Sequence, residues 1–225
     1  MKSIWQATVN IPAFPALKGD IHTDVLIIGG GIAGILTAYF LHQNRVNYVL
    51  VEKNRICSGT TGNTTAKITY QHSLIYHKIL KSYGVEATQK YLEANRLAFE
   101  KYKELCQKIN CDYEIKDSFV YSVDNKQRLE DEMNALYKIK FKAEYCENLP
   151  IPVKTVGAVK FPAQAQFNPL KFISAISNKL NIYENTFVIE MQGNTAVTSF
   201  GKIYAKTVVT ATNKAIIFLI TMSSD

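Results

Sequence analysis

No stretch of this chain stays apolar long enough to span a bilayer, and the first residues, with Lys2, Trp5, Gln6 and Asn10, lack the apolar core of a secretory signal. A cytoplasmic protein without a membrane span is expected. Cysteine is sparse and scattered: Cys57, Cys106, Cys111 and Cys146 form no CxxC pair and have no histidine at ligand spacing. Neither a zinc site nor a redox disulfide is indicated, so the four are read as reduced thiols and no metal is expected. Internal repeats and low-complexity segments are also missing. The net charge is +7, but the lysines are spread through helical segments rather than gathered with aromatics. That favours a solvated basic surface and argues against a nucleic-acid partner. What remains, 225 residues that are 47% hydrophobic and 20% charged, suits a globular chain of one large or two small domains.

The informative stretch runs from Asp24 to Glu52. Val25, Leu26, Ile27 and Ile28 form an apolar run without alternation, as in a parallel strand buried on both faces. It stops at Gly29. From Ile32 to Gln43, Ile35, Ala38, Tyr39 and Leu41 recur at helical spacing, and a second strand follows from Tyr48 to Val51. Gly29, Gly31 and Gly34 therefore lie where a strand turns into a helix. There the first allows the tight turn, the second lets backbone approach a pyrophosphate, and the third lets the helix pack on the strand. The helix N-terminus favours an anion. Glu52, 23 positions after Gly29, stands where a carboxylate accepts hydrogen bonds from a ribose diol. Strand, turn, helix, strand and acid together predict a dinucleotide site.

Beyond Glu52 and Lys53 the chain does not enter another crossover helix. It continues as a loop of small hydroxyl residues from Ser58 through Thr60, Thr61, Thr64 and Thr65 to Ala66 and Lys67, able to offer many donors to phosphate and to a flat ring. Residues 1–23, with Pro12, Pro15 and Gly19, read as an extended arm. His72 to Asn110 reads as helix, with Tyr91, Asn95, Phe99, Tyr102, Cys106 and Ile109 as a core stripe. His72 itself, without an identified partner, is read as structural. Strands are expected over Asp112 to Asp124, Lys142 to Glu147 and Thr155 to Phe167, and a helix over Asn125 to Lys140. Pro150, Pro152 and Pro162 mark turns or edges. Asn168 and Pro169 open a helix to about Leu180. Ile182 to Met191 is expected as one strand, followed by a hairpin around Gly193 and Gly201 and a strand from Lys206 to Asn213.

The segments DVLIIGGGIAG, VLVEKNRICSGTTGNTTAKIT and QHSLIY resemble the FAD-dependent amino-acid and amine oxidoreductases of the D-amino-acid oxidase superfamily, in particular its glycine oxidase-like and glutamylputrescine oxidase-like members. The resemblance spans roughly residues 3 to 213, with SGTTGNTTAK its most specific part. Some relatives carry a C-terminal Rieske domain. The resemblance implies an α/β protein: a Rossmann-like FAD-binding domain with an inserted, incomplete α+β substrate domain. Residues 1–72 and 168–213 would form the FAD-binding domain, 73–167 the inserted segment, and 214–225 an aberrant tail of a chain truncated after Asn213. By position, Gly29, Gly31 and Gly34 would face the pyrophosphate, and Glu52, with Lys53 beside it, the adenosine ribose. Thr60 and Thr61 would line the phosphate and ribityl region. Thr65, Ala66 and Lys67 would lie near the isoalloxazine, Val188 against the adenine, and Ala211 near the pyrophosphate.

The function so implied is oxidation of the C–N bond of an amino acid or amine, a small-molecule substrate, by hydride transfer to flavin N5, with reoxidation by O₂ or another acceptor. No catalytic residue is assigned. Two alternatives stay open: an NAD-dependent dehydrogenase, against which the hydroxyl-rich loop speaks, and a non-catalytic cofactor-binding fragment. An uncovered sheet edge and the apolar run 215–220 also lead us to expect association between chains.

Overall fold

A computed structural model describes residues 2–149 and 151–212; the expectations for Pro150, Asn213 and 214–225 lie outside them. In chain order the helices are α1 (Ile4–Thr8), α2 (Ile32–Gln43), α3 (Tyr76–Gln107), α4 (Lys126–Lys138) and α5 (Pro169–Ser177). The strands are β1 (Ile21–Ile28), β2 (Tyr48–Val51), β3 (Lys67–Ile68), β4 (Glu114–Ser122), β5 (Glu144–Cys146), β6 (Gly157–Gln166), β7 (Ile182–Tyr183), β8 (Val188–Gln192), β9 (Thr195–Thr198) and β10 (Gly201–Thr210). A single 3-10 turn, Thr60–Asn63, interrupts the hydroxyl-rich loop. The described residues of Met1–Thr65 and Pro169–Asp225 form one compact unit, and Ala66–Asn168 the other.

The first unit carries a mixed sheet in the order β7-β2-β1-β10-β9-β8. β1 lies between parallel neighbours, with Ile28 opposite Val51 of β2 and opposite Thr210 of β10. α2 packs against β1 and β2, and Leu17, Val188, Met191 and Ala196 cluster with Leu26, Ile28, Val49 and Val51, so Leu26 and Ile27 and all four residues of β2 are buried and apolar without alternation. Gly29 ends β1 at φ +112°, a conformation that side chains rarely adopt. A Cβ on Gly34 would stand 1.9 Å from the Gly29 carbonyl oxygen. The two glycines thus let α2 start directly on the end of the strand, and Ile35 and Ala38 are buried behind them.

Two expectations for this unit are corrected. Residues 1–23 are not simply extended: Ser3 and Gln6 form a capping box that starts α1, and Ile21 already belongs to β1. The strand expected from Ile182 to Met191 is two strands. β7 pairs parallel with β2, and β8 pairs antiparallel with β9. Between them Asn185 sits at φ +50° and the polar side chains of Glu184 and Thr186 are buried, which no continuous strand would allow.

The second unit is an antiparallel sheet in which β6 pairs with β3, β4 and β5. α3 is kinked at Gly84, whose φ is +79°. Its start at Tyr76 rather than His72 follows from Glu132 on α4: the buried carboxylate accepts the N–H groups of Tyr76 at 2.9 Å and His77 at 2.7 Å, capping the helix. Burial raises the Glu132 carboxyl above its ordinary value, against those two hydrogen bonds. Phe99 and Cys106 of the expected stripe are buried, and Tyr70 meets Phe99, Phe141 and Phe161 edge-on in the core.

Replacing Gly34 by Ala is expected to lower the stability of the chain by about 3 kcal/mol, because backbone blocks the new methyl and cannot yield as a flexible side chain would. Gly59→Ala, whose Cβ would meet nothing within 4 Å, serves as the control. Urea unfolding of the two variants that gave equal losses would show the helix to be less tightly seated than described.

Candidate functional site

The α2 N-terminus, the ends of β1 and β10 and the loop after β2 enclose a cleft of about 560 Å³. Backbone of Gly29, Gly31, Ile32 and Ala33 forms one wall, and Ala211 and Thr212 another. Gly31 caps α2 without a side chain. A Cβ placed on it would meet only Thr61 Oγ1 at 3.4 Å, so the space before the helix is open to a ligand. The N–H of Ile32 donates to Thr61 Oγ1 at 3.0 Å, which ties the hydroxyl-rich loop to the helix start. This is the arrangement an anion needs: open backbone at the positive end of a helix dipole.

Glu52 closes the far side. Its Oε2 accepts the Gly30 N–H at 2.7 Å and its Oε1 the Asn54 N–H at 2.9 Å. Each oxygen keeps a lone pair for a further donor. The carbonyl of Gly30 in turn accepts the N–H of Cys57 at 2.9 Å. Cys57 lines the cleft at φ +55° and is only 3% exposed. Burial first, then the nearby Glu52 and Glu184 carboxylates, push its thiol up to about 12. It is a protonated wall of the cleft at neutral pH, not a nucleophile.

Behind the cleft lies Glu184, fully buried. It accepts the N–H groups of Phe14 at 3.0 Å and Ile56 at 2.7 Å and pairs with Arg55 Nε at 2.9 Å. Every partner is remote in sequence, so no local signal marks this residue.

Of the residues expected at the cofactor, Gly29, Gly31, Glu52, Thr60, Thr61 and Ala211 line the cleft together. Gly34 supports it from behind. Lys53 does not line it: its ammonium stands 4.8 Å from the centre of the Phe187 ring. Val188 belongs to the core cluster with Leu26 and Val49. Thr65 ends the first unit, while Ala66 and Lys67 belong to the second. There Ala66 is buried at φ +60° and its carbonyl accepts the Phe167 N–H. Lys67 borders a separate cleft of about 290 Å³ with Lys116, Phe119 and Gln164. His72 lies 3.3 Å from Asn95 Oδ1, so it has a side-chain partner after all. Asn54, Cys57 and Thr212 line the nucleotide-side cleft without having been singled out as cofactor residues. Among the described residues no group of His, Cys, Asp and Glu could hold a metal ion, and no helix is long and apolar enough to cross a membrane.

A family model described as FAD dependent oxidoreductase matches residues 24–222. A Bacillus subtilis (strain 168) protein named as a Rieske 2Fe-2S iron-sulfur protein, YhfW, is 34% identical over 200 residues, which are 85% of this chain and 39% of that protein. Gamma-glutamylputrescine oxidoreductase of Escherichia coli (strain K12) is 25% identical over 94% of this chain and 54% of its own length. The chain thus spans well under two thirds of either curated relative. Among solved structures, L-proline dehydrogenase from P. horikoshii superposes with a TM-score of 0.69 at 18% identity, over 88% of this chain and 54% of that one, and so shares the fold.

The Cys57 environment sets a pH dependence. An unfolded thiol releases its proton near pH 9.0 and folded Cys57 only near 12. Between those values the folded state holds the extra proton, so stability falls as pH rises through that window. Urea titrations of wild type and Cys57→Ala should diverge there, the wild type losing at most about 1.4 kcal/mol per pH unit relative to the variant. Parallel curves would mean that the thiol ionises normally.

Proposed function

Because the chain belongs to the FAD dependent oxidoreductase family, we propose that its first unit binds FAD in the cleft before α2 and that the protein oxidises the C–N bond of an amino acid or amine. The family match decides between the two dinucleotides in favour of FAD. The observation that carries the cofactor assignment is the single cleft in which the open Gly31 backbone, the α2 N-terminus and the Glu52 carboxylate face the same space. In this reading Gly31 and Ala33 face the pyrophosphate, Thr60 and Thr61 the phosphates and ribityl chain, and Ala211 the opposite wall. Glu52 accepts the ribose hydroxyls, and its charge repels a 2′-phosphate. Bound FAD supplies the two-electron acceptor for the C–N bond. We assign substrate binding to the second unit, Ala66–Asn168. Similarity to gamma-glutamylputrescine oxidoreductase supports an amine or amino acid as the substrate class.

Two measurements test the proposal. Purified protein titrated with FAD should bind it, and Gly31→Val should abolish binding with little loss of stability, since the new side chain enters open cleft and not packed backbone. Glu52→Ala should weaken binding by about 1–3 kcal/mol, the cost of losing a charged acceptor. In the second measurement a panel of amines and amino acids is offered to the FAD-loaded protein, with flavin bleaching under anaerobic conditions and released ammonia as readouts. Wild-type affinity in Gly31→Val would refute the site; a loaded enzyme that no amine bleaches would refute the reaction.

A further inference from the structure

We propose that the N-terminal arm, residues 3–17, is a positioning element for the cofactor, holding the threonine loop in the shape that receives the flavin-bearing half of FAD. This rests on the FAD reading above. A loop of small polar residues is costly to order, about 1–2 kcal/mol per residue for the backbone alone. Its inner side is tied to the cleft through Thr61 and Cys57. Its outer side is held by the arm. The Ser3 hydroxyl donates to the Gly62 carbonyl, and the Trp5 indole N–H donates to the Thr64 carbonyl at 2.8 Å. Gln6 Nε2 lies so close to Gly62 that a Cβ there would approach it to 2.8 Å.

Further along, Arg55 at the start of the loop donates to the carbonyls of Ile11 and Pro12 at 3.2 and 3.1 Å. The same guanidinium reaches Glu184, which also takes the Phe14 N–H. Leu17 N–H donates to Thr186 Oγ1 at 3.1 Å. Through Glu184 and Thr186 the arm is therefore also anchored outside the loop it braces. The capping box formed by Ser3 and Gln6 accounts for a helix of only five residues, too short to persist alone. None of residues 3–17 lines the cleft, so the arm acts through the loop and not on the ligand.

The two halves of FAD should feel the arm unequally. The ADP half depends on Glu52 and the glycine turn, which the sheet fixes through Gly29 N–H to Val51 and Ala211 N–H to Ile28. The flavin half depends on Thr60 and Thr61. The full chain, Trp5→Phe, and the double variant Ser3→Ala/Gln6→Ala are titrated calorimetrically with FAD and with ADP, and unfolded thermally without ligand. Trp5→Phe removes the indole donor and keeps a smaller aromatic ring in its place, and the ligand-free thermal unfolding reports the packing lost with it. FAD affinity should fall about tenfold in both variants while ADP affinity changes less than about twofold, the scale of one or two lost hydrogen bonds confined to one half of the ligand. Ser3→Thr, which keeps the hydroxyl at the helix cap, should bind FAD as wild type does. Trp5 is the sole tryptophan of the chain, so a red shift of its emission in the double variant reports release of the arm. Unchanged FAD affinity in the variants, or an equal loss for FAD and ADP, overturns the inference and leaves FAD binding standing. A wild type that binds neither ligand overturns both.

Discussion

The approach of Gly34 to the carbonyl of Gly29 is the contact on which the nucleotide-side unit depends. Any side chain at position 34 would meet backbone, so the helix is seated at the end of the strand by the absence of atoms. That seating puts the positive end of α2 at the carboxyl edge of a sheet whose central strand is enclosed by parallel neighbours. It also brings Gly30 within reach of Glu52 and Cys57. The cleft is thus a product of close packing before it is a product of polar chemistry.

Two carboxylates in this unit show how environment separates roles. Glu184 has three donors, Phe14, Ile56 and Arg55, and no exposure to water. A buried charge so fully paired is structural, since leaving any partner out would be costly. Glu52 has two backbone donors and opens on the cleft. It retains capacity for a ligand hydroxyl. The same residue type therefore clamps the scaffold in one place and faces an open cleft in another.

Much of this was legible in the sequence where the determinants are local. β1, α2 and β2 follow from an apolar run, helical spacing and three glycines within a few dozen residues, and the α/β class follows with them. The FAD family was legible in SGTTGNTTAK. What could not be read depends on partners distant in the chain. Glu184 breaks an otherwise strand-like segment because Arg55 and the arm surround it. Lys53, adjacent to Glu52 in sequence, turns to Phe187. The Ser3 and Gln6 capping box is a local signal for α1, but the helix is only five residues long and Pro12, Pro15 and Gly19 dominate the composition of the arm around it.

β1 pairs on one side with β2, its near neighbour in sequence, and on the other with β10, which lies almost the whole chain away. During synthesis the second of these pairings must wait until the residues from Gly201 to Thr210 have been made. Until then the apolar Val25–Ile28 ladder has a free edge, while Ala66–Asn168, continuous in sequence, has all its own partners at hand. Loop-closure entropy charges the β1–β10 pairing for the full separation. The glycine turn at the end of β1 is thus completed late, and the cleft before α2 forms with β10 rather than with the motif that encodes it.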